Sequence, residues 1–368
     1  MAETITLRKP FEAHVHGRQG EILKTVAPMT ARQFWGAIFE PNLQVPITTR
    51  TQARNYRQEI MHACSAYPDF KPYVLAYLTD TIDPDELAYG CADGDFLGLK
   101  FYPRGATTNS DSGVVDVRDL WKPGTRPFNA IRAIHGAGKV VQLHCELNFD
   151  LSGHELDPYR KEKYFFREVM PRLMDAHDGK FSCEHLTTRH GAAFVRDHGP
   201  SGRIGCSITP HHLLLDRRDM FRRGLWPHLF CLPVIKRERH RRALMHLALS
   251  GLPYAWAGTD SAPHDRRSKE TECCSGGIFT AHAAIETYLK AFEREGLLNK
   301  HFLNRFFSAS GPEFYDLRQS EEEITFAKEE WSAETLIQYS ENPEDTIRPF
   351  TYKNNRNEDE PFSWKLVV

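Results

Sequence analysis

Two histidines near the N-terminus, His14 and His16, have the residue type and spacing of a metal-binding pair. Residues two apart on a strand share one face and lie about 6.6 Å apart along it. Their imidazole nitrogens converge on one point where the strand end bends into a loop, and a divalent metal is the usual reason to hold such a pair together. For this pair alone, two hydrogen-bonded histidines in a polar loop remain the alternative.

Further residues with ligand side chains follow short apolar runs along the chain, namely Lys100, His144, His185 and Asp260. Imidazole and carboxylate groups are ligands that zinc accepts. A single histidine at a strand end, such as His144, is more often a hydrogen-bonded structural residue. No single residue predicts a metal site, but the recurrence of ligand side chains after apolar runs does.

Lys100 differs from the other candidates because it lies inside the apolar run 98–102. Burying an ammonium group is costly, so such a lysine finds a partner, loses its proton or is chemically converted. An unprotonated amine adds carbon dioxide to form a carbamate, whose two oxygens can bridge two metals. For the lysine considered alone, an ion pair with a neighbouring acid is the simpler interpretation.

The elements that must position these residues are short, apolar, β-prone segments with helical patterns between them. Strand followed by helix, repeated eight times, predicts a (β/α)8 TIM barrel, in which parallel strands end at one common mouth. With the run around His14, the predicted strands are Gly36–Phe39, Tyr73–Leu78, Leu97–Tyr102, Val140–His144, Lys180–His185, Ile204–Ile208 and Tyr254–Gly258.

The long connections and the C-terminus complete this expected architecture. Stretches 103–126, 146–160 and 259–280 are rich in Gly, Ser, Thr and Asp, and we expect them to build the active site because they follow strands. Residues 1–320 should form the barrel. Residues 321–368 are expected to be a C-terminal extension packed on the barrel and not an independent domain, with weak strand candidates at 324–326 and 350–352.

Composition restricts the class of protein. The 368 residues carry a formal net charge of −2, which does not point to nucleic acid or to an anionic membrane. No secretory signal and no apolar run long enough to cross a membrane is visible. Cys145, Cys183 and Cys206 lie in apolar runs, as buried free thiols do, which favours the cytoplasm. The basic stretch 236–242 is interpreted as a solvated helix face.

Five segments resemble motifs of the amidohydrolase superfamily, specifically of the dihydroorotases of the short, single-function type. The similarity runs in order from about residue 5 to about residue 318. The segments are His14-x-His16-x-Arg18, Gly98-Leu-Lys100-Phe-Tyr-Pro, Leu143-His144-Cys-Glu, Cys183-Glu-His185-Leu-Thr-Thr and Gly258-Thr-Asp260-Ser-Ala-Pro-His264.

The resemblance implies a centre with two Zn2+ ions per subunit. It assigns His14, His16 and Asp260 to one metal and His144 and His185 to the other, with carbamylated Lys100 as the bridge. A hydroxide held between the metals would be the nucleophile, because metal coordination lowers the pKa of water toward about 7. Asp260 would act as general acid and base.

The resemblance also implies a substrate and its contacts. The reaction would be the reversible interconversion of N-carbamoyl-L-aspartate and L-dihydroorotate in de novo pyrimidine biosynthesis, carried out by a homodimer. Arg18, Asn42 and His264 would hold the substrate carboxylate, and Thr107 and Thr108 lie on what resembles a loop that closes over it. The backbone at Leu232 and Gly276 would contact the ring amide groups.

The sequence departs from the family at Gly17, Gln19 and Arg104-Gly105, none of which is a predicted ligand. These changes concern efficiency and substrate range more than the metal site. Two alternatives remain. One is another cyclic-amide hydrolase that acts on a hydantoin-like ring without a carboxylate. The other is a non-catalytic barrel that serves as a scaffold, against which the presence of every predicted ligand counts.

Overall fold

The computed structural model describes residues 3–222, 224–354 and 358–367. Its strands are β1 (Thr4–Arg8), β2 (Phe11–Val15), β3 (Gly36–Phe39), β4 (Lys71–Leu78), β5 (Gly98–Phe101), β6 (Val140–Leu143), β7 (Phe181–Cys183), β8 (Ile204–Ile208), β9 (Ala255–Ala257), β10 (Glu323–Trp331), β11 (Ile337–Gln338), β12 (Thr346–Ile347) and β13 (Phe362–Val367).

The α-helices alternate with these strands. They are α1 (Gly20–Gln33), α2 (Arg50–Ala63), α3 (Pro84–Ala92), α4 (Arg126–Gly136), α5 (Lys161–Tyr164), α6 (Met170–Ala176), α7 (Arg189–His198), α8 (Pro210–Leu214), α9 (Glu238–Ala248), α10 (Arg266–Lys269), α11 (Ala284–Arg294), α12 (Lys300–Asn304) and α13 (Ser310–Phe314). Helix α3 begins as the sequence indicates, because the Asp83 side chain accepts a hydrogen bond from the Asp85 backbone and Pro84 occupies the first turn.

Strands β2 to β9 form one parallel eight-stranded sheet in chain order. The sheet curls until its edges meet: the Asp260 backbone N–H donates to the His14 carbonyl at 2.8 Å, and the His16 N–H donates to the Ser261 carbonyl at 3.1 Å. The predicted (β/α)8 barrel is confirmed. Each of the seven strands predicted with bounds begins and ends within two residues of its expected position, and the run around His14 forms β2. The barrel strands are buried throughout almost their whole length, as parallel strands covered by helices should be.

The C-terminal residues return to the start of the chain. Strand β10 pairs antiparallel with β1 and with β13, and β13 packs against α11 on the outside of the barrel. The strand predicted at 324–326 is therefore confirmed within β10. The boundary at residue 320 stays a prediction.

The strand predicted at 350–352 is wrong. This segment buries Phe350 and takes part in two backbone hydrogen bonds. The Phe350 N–H donates to the Phe279 carbonyl, and the Glu360 N–H donates to the Tyr352 carbonyl, both at 2.8 Å. Because these two bonds go to different segments, they fix a loop and do not form the ladder of a paired strand. The sequence pattern did not predict strand β13, Phe362–Val367.

All eight cysteines are free, and Cys145, Cys183 and Cys206 are buried as expected. The stretch 236–242 is not wholly a solvated face, because Lys236 is buried and lies 3.1 Å from a carboxylate oxygen of Glu146. Within the described residues, no helix has the length and apolar character to cross a membrane.

Candidate active site

A cleft opens at the mouth of the barrel, where the strands end, and encloses about 330 Å³ of space not filled by protein atoms. Most of the predicted site residues line it, although they come from segments spread over more than 260 positions. The lining residues are His14, His16, Arg18, Asn42, Tyr102, Thr107, Thr108, His144, His185, Leu232, Asp260, Ala262, Gly276 and Gly277. Lys100 lies beneath this cleft, and His264 lies behind Arg18. No lining residue comes from 146–160, so that expected contribution is absent.

Three side chains of the cleft are placed by unusual backbone just past a strand end. Arg18, His185 and Asp260 have φ angles of +58°, +42° and +46°. Residues other than glycine rarely adopt this left-handed conformation, and when they do the strain is concentrated at functional sites. All three of these side chains line the cleft.

His14, His16 and Asp260 form one group of convergent ligand atoms, all within 4.8 Å of one another. The Oδ1 atom of Asp260 lies 3.0 Å from His16 Nε2 and 3.7 Å from His14 Nε2. All three side chains are buried. Burial lowers the pKa of both imidazoles well below the ordinary value, so they are neutral and present lone pairs.

His144 and His185 form a second group, with His144 Nδ1 3.2 Å from His185 Nε2. Two imidazole nitrogens bound to one tetrahedral zinc at its usual bond length are about 3.3 Å apart, so the pair already has the separation of two ligands. Burial lowers the pKa of both histidines well below the ordinary value.

Lys100 lies between the two groups and is completely buried. Its Nζ lies 3.2 Å from an oxygen of Glu40, which also accepts a hydrogen bond from the Tyr102 hydroxyl at 2.8 Å. The ion pair that the sequence left open is therefore present in this structure. Burial raises the pKa of Glu40 to about 7, against the opposing effect of Lys100.

The residues present fit a metal centre on grounds of hydrogen bonding. Among the described buried atoms, His14 Nε2, which faces Asp260 at 3.7 Å, has no hydrogen-bond partner. An unpaired imidazole nitrogen is costly to bury, and coordination of a metal is one way to satisfy this atom. The donor set of imidazoles and carboxylates is the one that zinc accepts.

Three buried carboxylates beneath the histidines were not singled out from the sequence: Glu12, Glu40 and Glu184. Glu184 accepts from His14 Nδ1 at 2.8 Å and from the Ser207 hydroxyl at 2.6 Å. Glu12 accepts the backbone N–H groups of His14 at 2.9 Å and of Thr259 at 2.8 Å. The sequence does contain a pattern that could have identified them, because an acidic residue inside an apolar run is as unusual as the lysine at position 100.

Asp260 is the acidic group that faces the cleft. Burial raises its pKa to about 7, although Lys100 and Arg18 act in the opposite direction. A carboxyl group with a pKa near neutrality can both accept and release a proton at physiological pH. This pKa is that of the protein without metal, and a cation bound at Asp260 would lower it.

Arg18 and His264 form the cationic side of the cleft. Arg18 Nη2 and His264 Nε2 lie 3.0 Å apart, and Arg18 Nε donates to the Pro263 carbonyl at 3.0 Å. His264 Nε2 also lies 3.0 Å from the Gly276 carbonyl oxygen. Burial and the adjacent guanidinium lower the pKa of His264 well below its ordinary value, so the net charge here is that of Arg18.

The loop that carries Thr107 and Thr108 lies closed over the cleft. Asn42 Nδ2 donates to the Thr108 carbonyl at 3.0 Å, and the Thr108 hydroxyl donates to the Gly276 carbonyl at 3.2 Å. Asn109, at a φ of +54°, donates from its side chain to the Asn42 carbonyl at 3.1 Å. The predicted contact residues Asn42, Thr108 and Gly276 therefore meet across the opening.

The departures at Gly17 and Arg104 have structural explanations. A Cβ at Gly17 would come within 2.8 Å of atoms of Phe39 and Tyr56, so this chain fills with aromatic rings the space that a larger side chain would occupy. Arg104 is half exposed, with its guanidinium 3.6 Å from Asp80, away from the ligand groups.

Comparison with known proteins gives a consistent result. No family model matches the chain. It is 41% identical to a dihydroorotase of Aromatoleum aromaticum over 338 residues, covering 92% of this chain and 94% of that protein. It is 38% identical to a dihydroorotase of Delftia acidovorans over 365 residues, covering 99% of this chain and 98% of that protein.

Among solved structures, dihydroorotase from Saccharomyces cerevisiae in complex with 5-fluoroorotic acid superposes with a TM-score of 0.87 at 27% identity, covering 99% of this chain and 98% of the other. The L-hydantoinase of Arthrobacter aurescens gives a TM-score of 0.78 at 12% identity over 99% of this chain and 83% of that one. The hydantoinase likeness shows the fold alone.

Proposed function

Because the chain belongs to the dihydroorotase family, a family of cyclic-amide hydrolases, we propose that this cleft interconverts L-dihydroorotate and N-carbamoyl-L-aspartate in pyrimidine biosynthesis, with two zinc ions. The observation that carries the proposal is the convergence of four neutral imidazoles and one carboxylate on a cleft whose opposite wall holds Arg18 and His264. The first set suits metals, and the second suits a substrate carboxylate.

The metal ligands are divided between the two groups of side chains. His14, His16 and Asp260 would hold one ion, and His144 and His185 the other, with Lys100 as carbamate between them. When bound, the two ions would supply an activated water and polarise the ring carbonyl. The Lys100–Glu40 ion pair would have to open for the carbamate to form, and the Tyr102 hydroxyl would still donate to Glu40 at 2.8 Å.

Asp260 would move the proton. Its carboxylate lines the cleft, where it would accept a proton from the attacking water and deliver it to the leaving ring nitrogen. In the cyclising direction the same carboxylate takes the proton from the nitrogen that attacks. One group can serve both directions because each direction is the reverse of the other and uses the same proton-transfer position.

Arg18, His264 and Asn42 would hold the carboxylate of the substrate. A guanidinium presents a planar fork that matches two carboxylate oxygens, and that of Arg18 is already oriented by Pro263 and His264. Asn42 has an amide oxygen with no partner among the described atoms, and its amide nitrogen can leave Thr108 to meet a ligand.

The remaining contacts concern the ring and the exclusion of water. The backbone at Leu232 and Gly276 would meet the ring amide groups, since both residues line the cleft. Thr107 and Thr108 would close over the substrate, and the bond from Thr108 to Gly276 would be exchanged for substrate contacts. Closure excludes water and so strengthens every electrostatic contact inside.

Assembly and location are proposed on coarser grounds. The resemblance supports a homodimer, and the eight free cysteines support a reducing cytoplasm. Elution of the protein at twice its monomer mass would support the dimer, whereas a monomer active at all concentrations would contradict it.

X-ray absorption of the zinc-loaded protein tests the bridged metal centre. Two ions joined by one carbamate give metal–metal scattering at about 3.5–4 Å. We expect this signal in the wild type and its loss, together with activity, in Lys100→Ala, which bicarbonate should not restore. Metal–metal scattering that persists in Lys100→Ala would contradict the bridging role of Lys100. An active wild type without metal–metal scattering would contradict the proposal of a binuclear centre.

A further inference from the structure

A second cluster of metal-ligating side chains lies behind the wall of the cleft. His211, His212 and Cys231 are all buried, and their ligand atoms lie within 4.8 Å of one another. The two histidines are in α8, directly after β8. Cys231 is the residue before Leu232, which lines the cleft. None of the three lines the cleft, so the mechanism proposed above does not use them.

His211 is the residue that lacks an explanation. It is 0% exposed, and neither of its ring nitrogens has a hydrogen-bond partner among the described residues. Burying an imidazole without any polar partner costs free energy. Its pKa is lowered well below the ordinary value by burial and then by His212, so it is neutral and one nitrogen carries a free lone pair.

His212 and Cys231 have the separation of ligands on one ion. Cys231 Sγ lies 3.8 Å from His212 Nε2. A sulfur and an imidazole nitrogen on a tetrahedral zinc are about 3.6 Å apart, so the pair needs to close by only a few tenths of an ångström. The other nitrogen, Nδ1, lies 2.8 Å from the Thr209 hydroxyl, which can accept its proton and leave the Nε2 lone pair toward the sulfur.

Hydrogen bonding without metal accounts for only part of this cluster. The Pro233 carbonyl oxygen lies 3.1 Å from His212 Nε2 and 3.3 Å from Cys231 Sγ, so both could donate to it. That arrangement satisfies two of the three side chains and leaves both nitrogens of His211 unpaired. A shared metal ion gives all three side chains a partner, including one of the two nitrogens of His211.

We propose that His211, His212 and Cys231 bind a third divalent metal of the zinc class, separate from the two in the cleft. Two imidazoles and a thiolate are a donor set that suits zinc. On binding, the Cys231 thiol loses its proton to solvent and its sulfur forms the bond to the metal. Because Cys231 directly precedes Leu232, the ion fixes the loop that forms one wall of the cleft.

Cobalt binding tests this site separately from the cleft, because the proposed ligands in the cleft include no sulfur. Protein stripped of metal is titrated with Co2+ while thiolate-to-cobalt charge transfer is followed in the near ultraviolet. The wild type should develop this absorption and bind one more equivalent than Cys231→Ser or His211→Gln, neither of which should show it. Cys273→Ser and Cys274→Ser are matched controls, because they remove the cysteines that are not fully buried, and both should keep the band.

Two results would overturn the proposal. One is a wild type saturated with Co2+ that shows no thiolate charge transfer. The other is a Cys231→Ser variant that keeps the band. If Cys231→Ser does not fold, the wild type and His211→Gln still decide, and zinc–sulfur scattering at about 2.3 Å in wild-type zinc protein gives a second measurement that needs no variant.

Discussion

The Nδ1 atom of His14 lies 2.8 Å from a carboxylate oxygen of Glu184, and this contact fixes which nitrogen of the histidine faces the cleft. Nδ1 donates its proton to the carboxylate, so Nε2 presents its lone pair toward Asp260. Glu184 is itself held by the hydroxyls of Ser182 and Ser207. A chain of buried polar contacts therefore orients a proposed metal ligand.

Glu184→Gln should weaken metal binding by about 10–100-fold, because the neutral amide holds the His14 proton less strongly and lowers the basicity of Nε2. Competition with a chromophoric chelator measures the dissociation constant directly. Glu146→Gln is the matched control: that carboxylate is equally buried but pairs with Lys236 and not with a histidine of the cleft. Equal metal affinity in Glu184→Gln and wild type would refute the orienting role.

Asp260→Asn should lower kcat by about 100- to 10,000-fold, because an amide cannot accept and return the proton and is a poorer metal ligand. Asp265→Asn, which changes the residue that caps α10 outside the cleft lining, should keep turnover near normal. Rates in both directions should fall together. Normal turnover of Asp260→Asn at full metal content would exclude the proton-transfer assignment.

Arg18→Lys should raise KM for L-dihydroorotate by about tenfold or more, since a lysine keeps the charge but loses the fork that pairs with two carboxylate oxygens. Metal content should not change. Arg32→Lys, on α1 and bonded to the His282 carbonyl, controls for the substitution itself. An unchanged KM would place the substrate carboxylate elsewhere.

Glu286→Gln should stabilise the protein above pH 7 and have little effect near pH 4. Glu286 is buried, and burial raises its pKa from 4.5 to about 7, opposed in part by Arg32. A raised carboxyl pKa contributes stability that is complete below the unfolded value and is lost as the pH rises through the folded value. The glutamine variant removes this loss, which we expect to be worth about 1–3 kcal/mol at pH 8.

Thermal unfolding of Glu286→Gln and wild type at several pH values between 4 and 8 measures this difference. Glu293→Gln, on the same helix but paired at the surface with Lys328, should give no comparable gain at high pH. A difference between Glu286→Gln and wild type that does not grow with pH would show that the carboxyl group is not held in its protonated form.

The barrel and the ligand groups could be predicted because each depends on local sequence. An apolar run followed by a polar residue marks a buried strand and its exposed end, and parallel strands bring such ends together. His144 and Asp260 were identified in this way. The resemblance then added Asn42 and Leu232, whose residue types alone indicate no chemistry.

The supporting residues could not be predicted because their roles depend on pairing across the barrel. Glu40 and Lys100 are 60 positions apart in the chain, and only the register of β3, β4 and β5 brings their side chains within 3.2 Å. The same holds for His211, His212 and Cys231, since a loop returning past α8 places the cysteine there. The segment 350–352 has the composition of a strand, but its backbone hydrogen bonds go to two different segments and form no ladder with any described strand.

Turnover of L-dihydroorotate by zinc-supplemented protein, in both directions and beside a hydantoin and a dihydropyrimidine, tests the central claim most directly. We expect turnover confined to dihydroorotate and N-carbamoyl-L-aspartate, because Arg18 and His264 require a ring that carries a carboxylate. Turnover of the neutral rings alone would contradict the assigned substrate while leaving the metal ligands in place. Protein that holds both metals and acts on none of these rings would contradict catalysis itself.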